Sequence, residues 1–110
     1  MWVQTTKGAY SIVKHREENG QVLVRSRRRS DIYEFAKRVS GPEIKPWYDS
    51  SADYPWRLKL SAGQAAEVVS ELVTDIYYSN FKAAVRDGEL ATAYYDAYNA
   101  LLPLDERWSK

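Results

Sequence analysis

The sequence predicts an α+β fold, an antiparallel sheet of three to four strands with helices packed on one face, and three observations point to it. Tyr10 to Arg16 and Val22 to Arg28 are rich in β-branched and aromatic residues and flank Asn19-Gly20, a favoured pair for a tight hairpin turn. Trp56 to Leu60 alternates large apolar and basic residues, as a strand with one buried face does. From Ser61 onward, apolar residues recur at helical spacing. With 110 residues, 45% of them hydrophobic, the chain fits one α+β domain spanning residues 1–110, large enough to bury a core without metals or disulfides.

Taken in order, Met1 to Thr6 reads as a short first strand that Gly8 interrupts, and the hairpin follows. Ser30 or Asp31 is placed to cap a helix: Asp31 and Glu34 have capping-box spacing, and Ile32, Phe35, Ala36 and Val39 form its apolar stripe. Gly41-Pro42 ends it. Ser40 to Pro55 reads as a long loop carrying Trp47, Tyr48 and Tyr54, and loops of ~15 residues are uncommon in compact domains unless functional or disordered. After the strand at Trp56, Ser61 caps a long helix with Ala65, Val68, Val69, Leu72, Val73, Ile76 and Tyr77 on one side. Ser79-Asn80 restarts it, and Asp87-Gly88 breaks it before a last helix with Leu90, Ala93, Tyr94, Ala97, Tyr98 and Leu101 inward. Pro103 stops that helix, and the tail from Asp105 reads as frayed.

A two-residue turn at Asn19-Gly20 sets Lys14 opposite Arg25, Ile12 opposite Arg27 and Arg16 opposite Leu23. Val13, His15, Val22, Val24 and Ser26 then make the other face, the one for helices to cover. The uncovered face gathers Lys14, Arg16, Arg25, Arg27, Arg57 and Lys59 among Tyr10, Ile12 and Leu23, while Arg28, of opposite parity, points elsewhere. Like charges facing one another across strands cost roughly 0.2–1 kcal/mol per pair. Concentrating them therefore implies an anion, an acidic surface or compensating carboxylates. A sheet face of cations and rings suits single-stranded nucleic acid, cations following phosphates and rings stacking on bases; Tyr10, Tyr54, Trp47 and Trp2 are the candidate rings.

Charge is unevenly distributed along the chain. Residues 1–60 hold 12 Lys/Arg against 7 Asp/Glu, and residues 61–110 hold 4 against 8. A basic half invites an anionic partner, but the two halves can equally attract one another within a fold or between copies.

Several chemistries are disfavoured. Zero cysteines excludes disulfides, a thiolate nucleophile and the usual zinc sets. His15, the only histidine, falls on the expected buried face, where a hydrogen-bonded core residue is the common outcome. No phosphate-binding glycine loop or nucleophile elbow is present, so no enzyme activity, metal or cofactor is expected. Asp53-Tyr54-Pro55-Trp56-Arg57 is the most enzyme-like segment, with an acid, a phenol and a guanidinium together. The absence of a long apolar run and of a signal-peptide pattern leads to the expectation of a cytoplasmic protein without a membrane partner.

Met1-Trp2, Thr5-Thr6, Gly8, Tyr10-Ser11-Ile12-Val13, Val24-Arg25-Ser26-Arg27, Asp53-Tyr54 with Arg57, and Asp75-Ile76-Tyr77-Tyr78-Ser79-Asn80-Phe81-Lys82 occur in an order that resembles a family of small, uncharacterised bacterial proteins. Lys7-Gly8-Ala9-Tyr10 departs from the Phe-rich form of that stretch. The resemblance implies no activity or cofactor; it adds that Arg25, Arg27, Arg57, Asn80 and Lys82 lie in the matching segments.

The expected function is non-enzymatic binding of an anionic ligand, single-stranded nucleic acid or a nucleotide, by Lys14, Arg25, Arg27, Arg57, Lys59, Tyr10 and Tyr54. The alternative is a protein-interaction or inhibitor module, or a homodimer, that uses the basic face or the aromatic loop 40–56.

Overall fold

In a computed structural model, which describes residues 1–107, the chain forms five antiparallel strands and four helices. The strands are β1 (Trp2–Gln4), β2 (Ala9–Lys14), β3 (Gln21–Ser26), β4 (Trp47–Tyr48) and β5 (Trp56–Ser61), in spatial order β1-β2-β3-β5-β4. The helices are α1 (Arg29–Ala36), α2 (Ala62–Thr74), α3 (Phe81–Ala84) and α4 (Gly88–Leu101), followed by a 3-10 turn at Leu102–Leu104. The fold is α+β as expected, with one more strand than the upper expectation. The addition is β4, inside the stretch read as a loop: Trp47 pairs with Arg57 and Tyr48 with Trp56, and the Tyr48 and Trp56 rings lie 5.0 Å apart.

The β2–β3 hairpin forms, but in a different register. Lys14 stands opposite Val22, not Arg25, and Ile12 opposite Val24, not Arg27, a shift of three residues. His15 supplies the physical reason. Its backbone N–H reaches the Gln21 carbonyl at 2.9 Å, while its imidazole Nδ1 accepts the N–H groups of Glu17 and Glu18, each at 3.1 Å. A side chain that satisfies loop N–H groups competes with a tight backbone turn, and the result is a wider loop that Gly20 leaves at φ +77°. His15 is therefore a partly exposed loop organiser, not a core histidine.

An odd shift sends every β2 side chain to the other face. Tyr10 and Ile12 now join Val24, Leu58 and Leu60 beneath Ile32 and Phe35 of α1 and Ala65 and Val68 of α2, in one continuous core. The Tyr10 and Phe35 rings meet edge-on at 5.1 Å. Tyr10 also explains Gly8: a Cβ there would overlap the Tyr10 hydroxyl and lie 2.8 Å from its Cζ.

Local signals place α2 and the starts of α3 and α4. Ser61 Oγ accepts the Gln64 N–H at 3.1 Å and Gln64 Oε1 accepts the Ser61 N–H at 2.9 Å, a closed capping box. Asn80 caps α3 and Asp87 caps α4. At α1 the expected capping box is absent. The buried Asp31 carboxylate instead takes the Arg28 guanidinium at 2.7 Å and the Ala9 N–H at 3.2 Å, and Glu34 pairs with Lys37.

The helical stripes are shorter than their periodicity suggests. α2 ends at Thr74, leaving Ile76 and Tyr77 outside it and exposed together with Val73. In α4 only Leu90 and Tyr94 are buried, while Tyr98 and Leu101, expected inward, are exposed. These two buried residues join Val85, Ala9, Phe81 and Ala91 in a second cluster apart from the first. Ala9 is paired with Gln4 and has the parity opposite to Tyr10, so α4 does not share the core of α1 and α2. Among the described residues no helix is long and apolar enough to cross a membrane. The end of the tail expected to fray, residues 108–110, lies outside the described residues.

Candidate anion-binding face

The register sorts the expected site residues. With Ser11 opposite Arg25, and Arg25 opposite Arg57, the face turned away from the main core carries Ser11, Val13, Leu23, Arg25, Arg57 and Lys59. Trp2, opposite Ser11, and Trp47, opposite Arg57, share it, and both rings are exposed. Tyr10 and Lys14 do not. Tyr10 is 3% exposed within the core, where burial, with Asp31 and Glu34 adding to it, pushes its hydroxyl pKa far above the ordinary tyrosine value. Lys14 pairs with Val22 on the helix-covered side, at the end of β2.

Three arginines converge on Tyr54, two of them on its ring. The Arg25 guanidinium carbon lies 4.9 Å from the Tyr54 ring centroid and that of Arg27 lies 4.4 Å from it. Both distances are within cation–π reach. Arg57 donates from Nη1 to the Tyr54 carbonyl at 3.3 Å, Arg27 donates from Nη1 to the Asp53 carbonyl at 3.0 Å, and Arg25 donates from Nη2 to Ser11 Oγ at 2.7 Å. The loop before β5 is thus bound to the sheet by the same side chains that make the face basic.

A guanidinium has five N–H donors, and each of these three uses one on a neutral acceptor. No ion pair neutralises any of them among the described residues. Arg25 Nε is buried without a partner, an arrangement that costs about 1–3 kcal/mol where nothing compensates. Glu71 of α2 and Asp75 just after it are engaged elsewhere, approaching Arg38 at 3.6 and 2.9 Å. Asp49 is kept ionised below the usual carboxylate range by hydrogen bonds from Ser51, with a smaller contribution from Arg57.

Lys59 and Arg28 differ from this trio. Lys59 lies on the same face but is held at 3.0 Å by Glu18, whose carboxyl pKa is lowered chiefly by that hydrogen bond. Arg28, expected to point elsewhere, joins Asp31, Asp87 and Glu89 at 2.7, 3.0 and 2.9 Å and connects the starts of α1 and α4. The enzyme-like segment does not form an acid–phenol–guanidinium constellation: Asp53 Oδ1 accepts the Tyr54 N–H at 2.9 Å, and the Arg57 bond goes to the Tyr54 backbone.

No family model, curated protein or solved structure matches the chain. The face is therefore read from its own chemistry. Among the described residues no group of three or more His, Asp or Glu side chains could hold a metal ion. What the face offers is three donor-rich guanidiniums without an ion pair among the described residues, beside three rings.

Sequence reasoning missed two parts of this surroundings. Ser11, the acceptor for Arg25, is legible only once the register is known. The other part is a cavity of about 390 Å³ whose walls include Arg27 and Tyr54 together with Gln4, Leu90, Ala93 and Tyr94. Its α4 residues read as ordinary inward positions, and no signal in their spacing distinguishes a cavity wall from a core.

Proposed function

We propose that the protein binds a phosphate-bearing anionic ligand, single-stranded nucleic acid or a nucleotide, through the face centred on Arg25, Arg27 and Arg57, without catalysing a reaction on it. The observation that carries this reading is the gathering of three guanidiniums around Tyr54, none of them in an ion pair among the described residues. Like charges are held together there at a cost of roughly 0.2–1 kcal/mol per cross-strand pair, and a bound phosphate offsets it with charge-assisted, two-pronged hydrogen bonds. Trp2, Trp47 and Tyr54 supply rings on which bases stack. Lys14 and Tyr10 are not part of the proposal. Fluorescence anisotropy of a labelled single-stranded oligonucleotide over a salt series tests it: affinity falls linearly on logarithmic axes as salt rises, and a protein that binds no oligonucleotide or nucleotide at low salt refutes it.

A second reading, contact with a protein partner or a second copy, is favoured by one separate observation. The distal half of α4 and the turn after it expose Tyr95, Tyr98, Leu101, Leu102 and Leu104, and a concentration of exposed large apolar side chains along one segment suits an interaction site. Association through that seam persists at high salt in light scattering, whereas binding through the basic face weakens.

A further inference from the structure

The basic face continues into a cavity. Between β1, the start of β2 and α4 lies the space of about 390 Å³, and Arg27 and Tyr54 belong both to its wall and to the cationic cluster. That volume is within the range of about 300–1,000 Å³ found for small-molecule sites. Apolar and aromatic side chains make much of the wall, with Trp2, Leu90 and Tyr94 prominent.

The polar groups on the wall differ in availability. Asp31 and Glu89 are both paired with Arg28, and the Tyr94 hydroxyl is shared between the carbonyls of Thr5 and Gly8 at 2.8 and 2.9 Å. The Gln4 side-chain amide has no partner among the described residues. It offers a donor and an acceptor side by side, the pair that reads the edge of a nucleobase.

Resting on the reading that the arginine cluster holds phosphate, we propose that this cavity receives one unstacked base, so that the smallest complete ligand is a single nucleotide. Its phosphates lie on Arg27 and the neighbouring guanidiniums, its ring enters beside Tyr54 and Trp2, and its edge faces Gln4. An inorganic phosphate chain reaches only the cations. An alkyl phosphate leaves the Gln4 amide unused. The base is the one part of a nucleotide that matches a ring-lined space with an amide in its wall, and shared residues at the junction place the two halves within one molecule's span.

Calorimetry at low salt with inorganic triphosphate and adenosine 5′-triphosphate separates the two layers of this claim. Base stacking on protein rings is worth a factor of about ten or more, so the nucleoside triphosphate binds about tenfold more tightly than the inorganic one. Ala93→Trp places a large ring in the cavity from an exposed helix position and abolishes that preference while leaving the affinity for inorganic triphosphate unchanged. Gln4→Ala, on an exposed edge-strand position, reduces the preference without filling the space and decides the matter if Ala93→Trp fails to fold cooperatively. Equal affinity for the two probes in the wild type, or a preference that survives both substitutions, overturns the cavity proposal and leaves the cationic reading standing. Failure to bind either probe overturns both.

Discussion

Arg25 and Arg57 stand directly opposite one another on β3 and β5, two cations side by side on the face turned away from Val24 and Leu58. Neither has an ion-pair partner among the described residues. Such a pair weakens a sheet slightly and strengthens a phosphate site substantially, which gives stability and binding opposite dependences on the same residues.

Arg57→Ala is therefore expected to leave chemical-denaturation stability within about 0.5 kcal/mol of wild type, because relief of like-charge repulsion offsets the lost bond to the Tyr54 carbonyl. The same substitution weakens oligonucleotide affinity roughly tenfold and lowers the salt slope by about one. Lys59→Ala, whose ammonium is engaged with Glu18, changes affinity far less. Anisotropy over a salt series for the two variants gives the comparison, and equal losses would show that the arginine cluster has no special standing.

Arg28→Met tests the junction between α1 and α4. It leaves Asp31, 2% exposed, as a buried carboxylate without its cation, and losing one partner of a buried pair costs roughly 3 kcal/mol or more. Urea unfolding monitored by circular dichroism is the measurement. A loss below about 1 kcal/mol would mean that water or another donor reaches Asp31.

Gly8→Ala is expected to destabilise the fold by about 1–3 kcal/mol, the usual cost of forcing atoms into filled space. The added methyl meets the Tyr10 ring and lies 3.2 Å from Asp31 Cβ. Gly63→Ala, with only Ser61 Oγ near, at 3.9 Å, is the control, and it should be neutral or stabilising because Ala is the better helix former. Equal melting temperatures for the two variants would contradict the close approach at Gly8.

Alkaline pH should unfold the protein through two tyrosines. Burial raises the hydroxyl pKa of both Tyr10 and Tyr94 above the ordinary value of 10.0. A raised folded-state pKa means stability that is complete below the unfolded pKa and is lost as pH climbs from there towards the folded value. Absorbance at the tyrosinate band should thus show two of the nine tyrosines ionising only as ellipticity is lost. Tyr94→Phe removes one of the late pair; a single smooth titration of all the tyrosines in folded protein would contradict the burial.

Much of this architecture was legible from residue order. Ser61 with Gln64, Asn80 and Asp87 act within a few residues of themselves, and such local hydrogen bonds are readable without knowing the rest of the fold. Arg25, Arg57 and Lys59 came out on one face because Val22, Val24, Leu58 and Leu60 set the parity of β3 and β5 by their own burial. The face that Tyr10 and Lys14 occupy depends on the hairpin register, which no single strand determines. The cavity was illegible, since it arises where α4 passes a strand end distant in sequence.

By itself the sequence determined the α+β class, the position of most strands and helices, and the concentration of cations on β3 and β5, because periodicity and capping are short-range properties. Only the tertiary structure decided the register of β2, the pairing of Trp47–Tyr48 as a fifth strand, and the convergence of Arg25 and Arg27 on Tyr54. The physical reason lies in the period of two along a strand: when His15 widened the loop, an odd shift in pairing exchanged the two faces of β2, burying Tyr10 and bringing Ser11 to Arg25.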